Sequence, residues 1–289
     1  MKIENLTNII ENYLKNCFKD KKSYNRKIYD AMYYSLNLGG KRIRPLLFLI
    51  TYGMYKNNYD EVIPVAAAIE MIHTYSLIHD DLPCMDNDDF RRGKLSNHKV
   101  FGEGIAVLAG DALLNEAMNI MFEFCAKNGK EELLACSKIA LAAGADGMIG
   151  GQVVDILSEG KNISKDELFY MHSKKTGALI TASIICGAML GKAPHDELII
   201  LEEFGEKLGL AFQIKDDILN VEGDKELLGK SVNSDKKNNK TNFISIYGIE
   251  KSKYMCITLT EECIELLNKI NKDTSLLKKL TLFLLNRNF

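Results

Sequence analysis

Between His79 and Asp89 the chain reads HDDLPCMDNDD, which places Asp80, Asp81, Asp86, Asp88 and Asp89 within ten positions. The run follows an apolar stretch, Val65 to Ile78, so the acids gather where a helix would end. Carboxylates crowded in this way repel one another unless a cation neutralises them, and all-oxygen donor sets favour hard ions such as Mg²⁺ or Mn²⁺. A helix C-terminus carries partial negative charge, which also suits a bound cation. For this run alone, an acidic turn without a ligand is the competing reading. A second pair, Asp216 and Asp217, lies late in another apolar stretch, Phe212 to Asn220. Asp216 and Asn220 are four apart and share a helical face. Two such helix ends could hold several divalent ions, and a cluster of that charge calls for a polyanionic ligand.

The basic residues answer to the same ligand class. In Gly39-Gly40-Lys41-Arg42-Ile43-Arg44-Pro45, three cations follow a glycine pair just before an expected helix start. Lys41 and Arg44 can grip a phosphate there with help from helix-terminal N–H groups, although a solvated basic turn would look similar. Arg91-Arg92-Gly93-Lys94, Lys174-Lys175-Thr176-Gly177 and Gly229-Lys230 add further cations beside glycines. Separate acidic and basic patches suggest two diphosphates bound together, one through metal and one directly.

The elements that must position these residues are helices. Prolines occur only at 45, 64, 83 and 194, and the long proline-free stretches repeat apolar residues at helical spacing. Ile105, Leu108, Ala109, Ala112, Leu113 and Ala117 show this, as do Leu201, Phe204, Leu208, Ala211 and Phe212. Strand-length alternation is hard to find. The expectation is one all-α domain over residues 1–289, a bundle of about ten helices with a mobile loop near 229–242. With 37 Lys+Arg against 39 Asp+Glu the net charge is −2, which argues against a dedicated nucleic-acid binder. No uninterrupted apolar run approaches the roughly 20 residues of a membrane span, and the N-terminus has no signal-peptide pattern. Seven cysteines without metal spacing read as reduced thiols of a cytoplasmic protein.

In order and spacing, GGKRIRP, DDLPCMD, RRGK, KTG, FQIKDDILN and GK resemble the motifs of the trans-isoprenyl diphosphate synthases, over residues 39–240. Within that family the resemblance is nearest to bacterial members that make farnesyl diphosphate. It implies the isoprenoid synthase fold, all-α around a central catalytic cavity, and a homodimer. It also implies Mg²⁺-dependent head-to-tail condensation of isopentenyl diphosphate with dimethylallyl or geranyl diphosphate. Asp80, Asp81, Asp86 and Asp216 would hold metal, three Mg²⁺ ions in all, with Mn²⁺ an alternative. Arg91, Lys175, Lys230 and Lys240 would bind the allylic diphosphate, and Thr176 and Gln213 would line the reacting centre. Lys41, Arg44, His73 and Arg92 would hold isopentenyl diphosphate.

Product length is expected to depend on Tyr75 and Ser76, which precede Asp80 by five and four residues, just over one helical turn. A bulky aromatic there matches the farnesyl pattern; geranylgeranyl or geranyl diphosphate is the alternative product. The second acidic motif departs from the family in having Asn220 where a third aspartate is usual, and Asn87 carries no evident chemistry. Rival readings are an HD-type metal phosphohydrolase, suggested by His73 and His79-Asp80, and a non-catalytic subunit of a heteromeric prenyl synthase. The first leaves the basic motifs without a role, and the second sits poorly with two retained acidic pairs.

Overall fold

A computed structural model describes residues 2–19, 21, 24–222 and 241–287. Lys230, Lys240 and most of the loop expected near 229–242 lie outside the described residues. Contacts divide the chain into two compact units. One comprises Met1–Leu49 with Asn57–Cys136, the other Ile50–Lys56 with Ser137–Phe289.

The first unit is built from α1 (Ile3–Asn16), α2 (Arg26–Leu36), the first part of α3 (Ile43–Gly53), α4 (Ile63–Asp80), α5 (Asn97–Phe101) and α6 (Glu103–Asn128). α1 buries Leu6, Ile10 and Leu14, one side chain per turn, and packs on α4. α4 starts with Pro64 in its first turn and is buried almost all round, from Val65 to Ile78. It is therefore a central helix rather than an amphipathic one. α6 packs against it through a buried stripe whose N-terminal part is mostly small, Ala106, Ala109, Gly110 and Ala117 with Leu113, before the larger Met121 and Phe124. A Cβ on Gly110 would lie 2.1 Å from the His79 ring.

Arg42, only 2% exposed, ties this unit together. Its guanidinium donates to Glu11 of α1 at 2.6 Å, to Glu70 of α4 at 2.8 Å and to the Leu36 carbonyl at the end of α2 at 2.6 Å. Its backbone is left-handed, φ 49°, a cost that the three bonds offset.

The second unit contains the rest of α3 and most of α7 (Lys130–Ala143), with α8 (Met148–Leu157), α9 (Lys165–His172), a π-helical turn (Ser173–Gly177), α10 (Ala178–Gly191) and α11 (His195–Glu222). It ends in α12 (Phe243–Tyr247), α13 (Ile249–Asn268) and α14 (Ser275–Leu285). α10 is buried along nearly its whole length and packs on α11, which also packs on α13. Leu168, Met171, Ile214, Ile218, Phe243 and Cys256 form an apolar cluster among α9, α11, α12 and α13. Fourteen α-helices are described, more than about ten because short pieces such as α5 and α12 are separate. The described cysteines are all free thiols.

The helical stretches Glu103–Asn128 and Lys130–Leu157 are long and apolar enough on average to cross a membrane. Each has polar interruptions that an uninterrupted-run criterion rejects, and one third of each apolar window is buried inside the protein.

His172 stacks on Phe243 with ring centroids 5.3 Å apart, and both its ring nitrogens are buried without hydrogen-bond partners. Burial pushes its pKa down from 6.5 to about 4, outweighing the opposing effect of Asp155. Between these values the unfolded chain binds the proton and the folded chain does not. Folding stability is therefore lost as pH falls through that window, by up to about 3 kcal/mol. Urea denaturation at pH 7 and pH 4.5 should show a smaller loss for His172→Phe than for the parent chain; equal losses would refute this assignment.

Candidate active site

In the first unit α4 ends at Asp80, and the chain then folds back on itself. Met85 N–H donates to the Leu82 carbonyl at 2.9 Å, Asn87 N–H to the same carbonyl at 3.1 Å, and Asp86 N–H to the Asp80 carbonyl at 2.9 Å. Pro83 and Cys84 are thus the apex of a turn that returns Asp86 to Asp80. Asn87 closes it in a left-handed conformation, φ 52°, which asparagine tolerates better than most residues. Its role is conformational rather than chemical.

Asp81 is buried, and its carboxylate accepts Arg91 Nε at 2.9 and 3.1 Å and the Arg91 Nη2 group as well. Asp88 lies 3.6 Å from the same guanidinium. Burial acts to lower the pKa of Arg91, but these bonds and charges hold it above its ordinary value. Of the four expected metal carboxylates, Asp81 pairs with an arginine here, as Asp216 does with Arg287 in the second unit.

The RRGK motif forms a small hairpin, β1 (Phe90–Arg91) with β2 (Lys94–Leu95), the only strands among the described residues. Its turn residues Arg92 and Gly93 have φ of 55° and 74°, the positive signs that a two-residue type I′ turn requires. The turn splits the arginine pair. Arg91 reaches the acidic run, whereas Arg92 Nη1 donates to the Gly39 carbonyl. A Cβ on Gly40 would lie 2.4 Å from the Arg92 guanidinium carbon, and Gly40 itself has φ +119°. Both glycines of the pair have positive φ, 85° and 119°, which favours glycine, and at Gly40 a Cβ would also displace the Arg92 guanidinium.

His73 projects from α4 among these cations, with its Nδ1 buried and without a hydrogen-bond partner. Burial and then the charges of Arg44, Arg92, Arg91 and Arg42 hold its pKa well below 6.5, so the ring is neutral. Arg44 is buried while Lys41 is exposed. Four guanidinium charges around one neutral imidazole make a field suited to an anion. Arg42, however, is engaged with Glu11 and Glu70.

One turn before Asp80, Tyr75 is buried and its hydroxyl has no hydrogen-bond partner. Burial and the charge of Asp80 push its pKa up to about 12. Ser76 donates to the His73 carbonyl at 2.9 Å, and His79 bonds the Val107 carbonyl at 3.0 Å. His79 is thereby held against α6, which leaves the phosphohydrolase pattern without one of its ligands.

In the second unit, the KTG motif lies in the π-helical turn, a distortion often found at functional sites. Lys175 Nζ contacts Asp155 Oδ2 at 2.6 Å. Thr176 Oγ1 donates to Gln213 Oε1 at 3.1 Å, Gln213 Nε2 donates to Asp217 Oδ1 at 3.2 Å, and Phe243 N–H donates to Asp217 Oδ2 at 2.9 Å. Asp217 thus anchors α12 and orients Gln213. Two glycines let the backbones close on the turn: a Cβ on Gly151 would lie 2.1 Å from the Lys175 nitrogen, and one on Gly209 2.7 Å from the Gly177 Cα. Asp216 is more open than its neighbour and pairs with Arg287, whose guanidinium also lies 4.3 Å from the Phe212 ring centre.

Among the described residues, no three His, Cys, Asp or Glu side chains converge into a preformed metal cluster. The donors come as the single-turn pair Asp80 and Asp86 and, separately, Asp216. Carboxylates of this kind fit a hard divalent ion that keeps much of its coordination for water and phosphate oxygens. Asp155, Arg42 and Arg287 escaped the sequence reading, since each gains its role from a partner distant in sequence.

The polyprenyl synthetase family model matches residues 25–281. The chain is 41% identical over 273 residues to farnesyl diphosphate synthase of Bacillus subtilis strain 168, covering 94% of this chain and 92% of that protein. It is 42% identical over 267 residues to geranylgeranyl diphosphate synthase of Cyanophora paradoxa, covering 90% and 88%. Geranyltransferase of Helicobacter pylori, solved with magnesium and isoprenyl diphosphate, superposes with a TM-score of 0.85 at 33% identity, covering 98% and 95%. Motif order, helical architecture and similarity along nearly the whole length agree, and the chain belongs to the polyprenyl synthetase family.

Proposed function

We propose that the protein condenses isopentenyl diphosphate with dimethylallyl or geranyl diphosphate, head to tail, to yield (2E,6E)-farnesyl diphosphate and diphosphate. The observation that carries this reading is the charge arrangement of the first unit. Arginines surround a neutral His73, and the carboxylate turn Asp80–Asp86 follows on the same helix. The similarity to farnesyl diphosphate synthase along the chain supports it, and the match over residues 25–281 supports a single synthase domain.

Lys41, Arg44, His73 and Arg92 bind isopentenyl diphosphate directly in this reading. Asp80, Asp86 and Asp216 hold Mg²⁺, three ions in all, while Asp81 positions Arg91. When bound, Mg²⁺ neutralises the charge that develops on the departing diphosphate. Arg91, Lys175, Lys230 and Lys240 complete that neutralisation around the allylic substrate. Thr176 and Gln213, held in place by Asp217, turn oxygen atoms toward the allylic cation left behind. The alkene of isopentenyl diphosphate attacks that cation, and the released diphosphate takes the proton. Apolar side chains keep water away from the cation until then.

Geranylgeranyl diphosphate is the second reading for the product, because a geranylgeranyl synthase is as similar to this chain as a farnesyl synthase. Tyr75 favours the shorter product: its buried ring, one turn before Asp80, would floor a pocket for the growing chain. The protein is further read as a cytoplasmic homodimer. Exposed apolar side chains such as Leu108, Phe122 and Leu141, 54%, 63% and 70% accessible, support a partner surface.

Incubation with isopentenyl and geranyl diphosphates plus Mg²⁺, followed by chromatography of the lipid product, should give a fifteen-carbon product; diphosphate release without condensation would overturn the reading. Asp216→Ala should lower kcat by about 10²-fold or more, and an intact rate would remove Asp216 from the metal set. Tyr75→Ala should shift products toward twenty carbons, whereas an unchanged distribution would show that the ring is not the floor. Gly40→Ala should displace Arg92 and raise KM for isopentenyl diphosphate by about tenfold, with little change for the allylic substrate; equal effects on both would contradict the assignment of Arg92.

A further inference from the structure

Arg287 follows α14, and its side chain is 6% exposed, against 38% for Asp216. Its Nη2 donates to Asp216 Oδ1, its guanidinium carbon lies 4.3 Å from the Phe212 ring centre, and its Nε has no hydrogen-bond partner. Phe212, Asp216 and Asn220 are successive positions on one face of α11, each four residues apart. On that face Asp216 is the acid, and Asn220 is neutral. The Arg287 guanidinium is thus a cation paired with the one acid among these three positions. Its stacking on Phe212 holds it over the carboxylate.

We propose that Arg287 is an internal counter-ion, which occupies the Asp216 carboxylate while metal is absent and must be displaced before Asp216 takes a divalent cation. The inference rests on Asp216 being a metal ligand. Metal loading at this carboxylate is then an exchange of one cation for another, so its apparent affinity is lower than that of a bare carboxylate.

The test is a Mn²⁺ titration of the full chain, followed by electron paramagnetic resonance without any diphosphate. Arg287→Gln should tighten Mn²⁺ binding at this site roughly three- to tenfold, and Arg287→Lys, which keeps the charge, should stay near the parent. In an Asp216→Asn background, Arg287→Gln should change nothing. Should the glutamine variant fold poorly, Arg287→Met keeps the stem over Phe212 and makes the same comparison. If Asp216→Asn loses a Mn²⁺ site but neither neutral variant tightens binding, the counter-ion role is overturned and the ligand role stands. A gain of equal size in the Asp216→Asn background also overturns it. If Asp216→Asn leaves Mn²⁺ binding unchanged, the ligand reading fails and the counter-ion role falls with it.

Discussion

A charged side chain withdrawn from water must be neutralised where it sits, and the arrangement of this protein follows from that constraint. Arg42 is held by Glu70 and Glu11, Arg91 by Asp81, Lys175 by Asp155 and Arg287 by Asp216. In each case one partner belongs to a motif that the sequence marks as chemical, and the other lies on a different element. The pairings fix the motif residues before any ligand arrives. Around Arg42, Arg91 and Lys175 such a preorganised field does not have to reorganise as charge moves, which is where electrostatic catalysis gains most; the Arg287–Asp216 pair differs, since it would open for metal. The near-zero net charge of −2 is therefore a sum of opposed and separated groups.

Close approach at several glycines accompanies these pairings. Gly40 leaves room for the Arg92 guanidinium, Gly110 for the His79 ring, and Gly151 and Gly209 for the π-helical turn that carries Lys175 and Thr176. The π turn also has a consequence for side-chain direction. The extra residue in the turn shifts the phase of the helix, so Lys175 meets Asp155 while Thr176 meets Gln213.

The all-α class was legible because it rests on local periodicity, and both acidic helix ends were legible because their residues are adjacent in sequence. Asp80 and Asp86 come together through a turn only a few residues long. Other features were not legible, for a physical reason. Asp81 looks like Asp80 in sequence, yet it is buried against Arg91 rather than open to a ligand. Arg42 looks like Lys41 and Arg44, yet it points inward to two glutamates 31 and 28 residues away. Equivalence of residue type does not survive folding, because the direction of each side chain depends on backbone torsion, and Arg42 has φ 49°. The hairpin at Arg91 escaped for a related reason: two-residue strands are too short to show alternation, and positive φ at Arg92 has no signature beyond the following glycine.

Under the proposed reading, Tyr75 would let one helix combine specificity with chemistry. α4 is apolar on nearly every face, so it can present His73 to arginines, Asp80 to the acidic turn and Tyr75 to its own interior without changing its course. The unpartnered hydroxyl of Tyr75 is a cost that a phenylalanine at this position would not incur. Such a cost is tolerated where bulk is required and the surrounding helices already supply the packing. A continuous α-helix also fixes the separation of Tyr75 and Asp80 at just over one turn. Chain length in this reading is then a matter of helical rise, measured from the carboxylate that holds the leaving group to the ring that stops the tail.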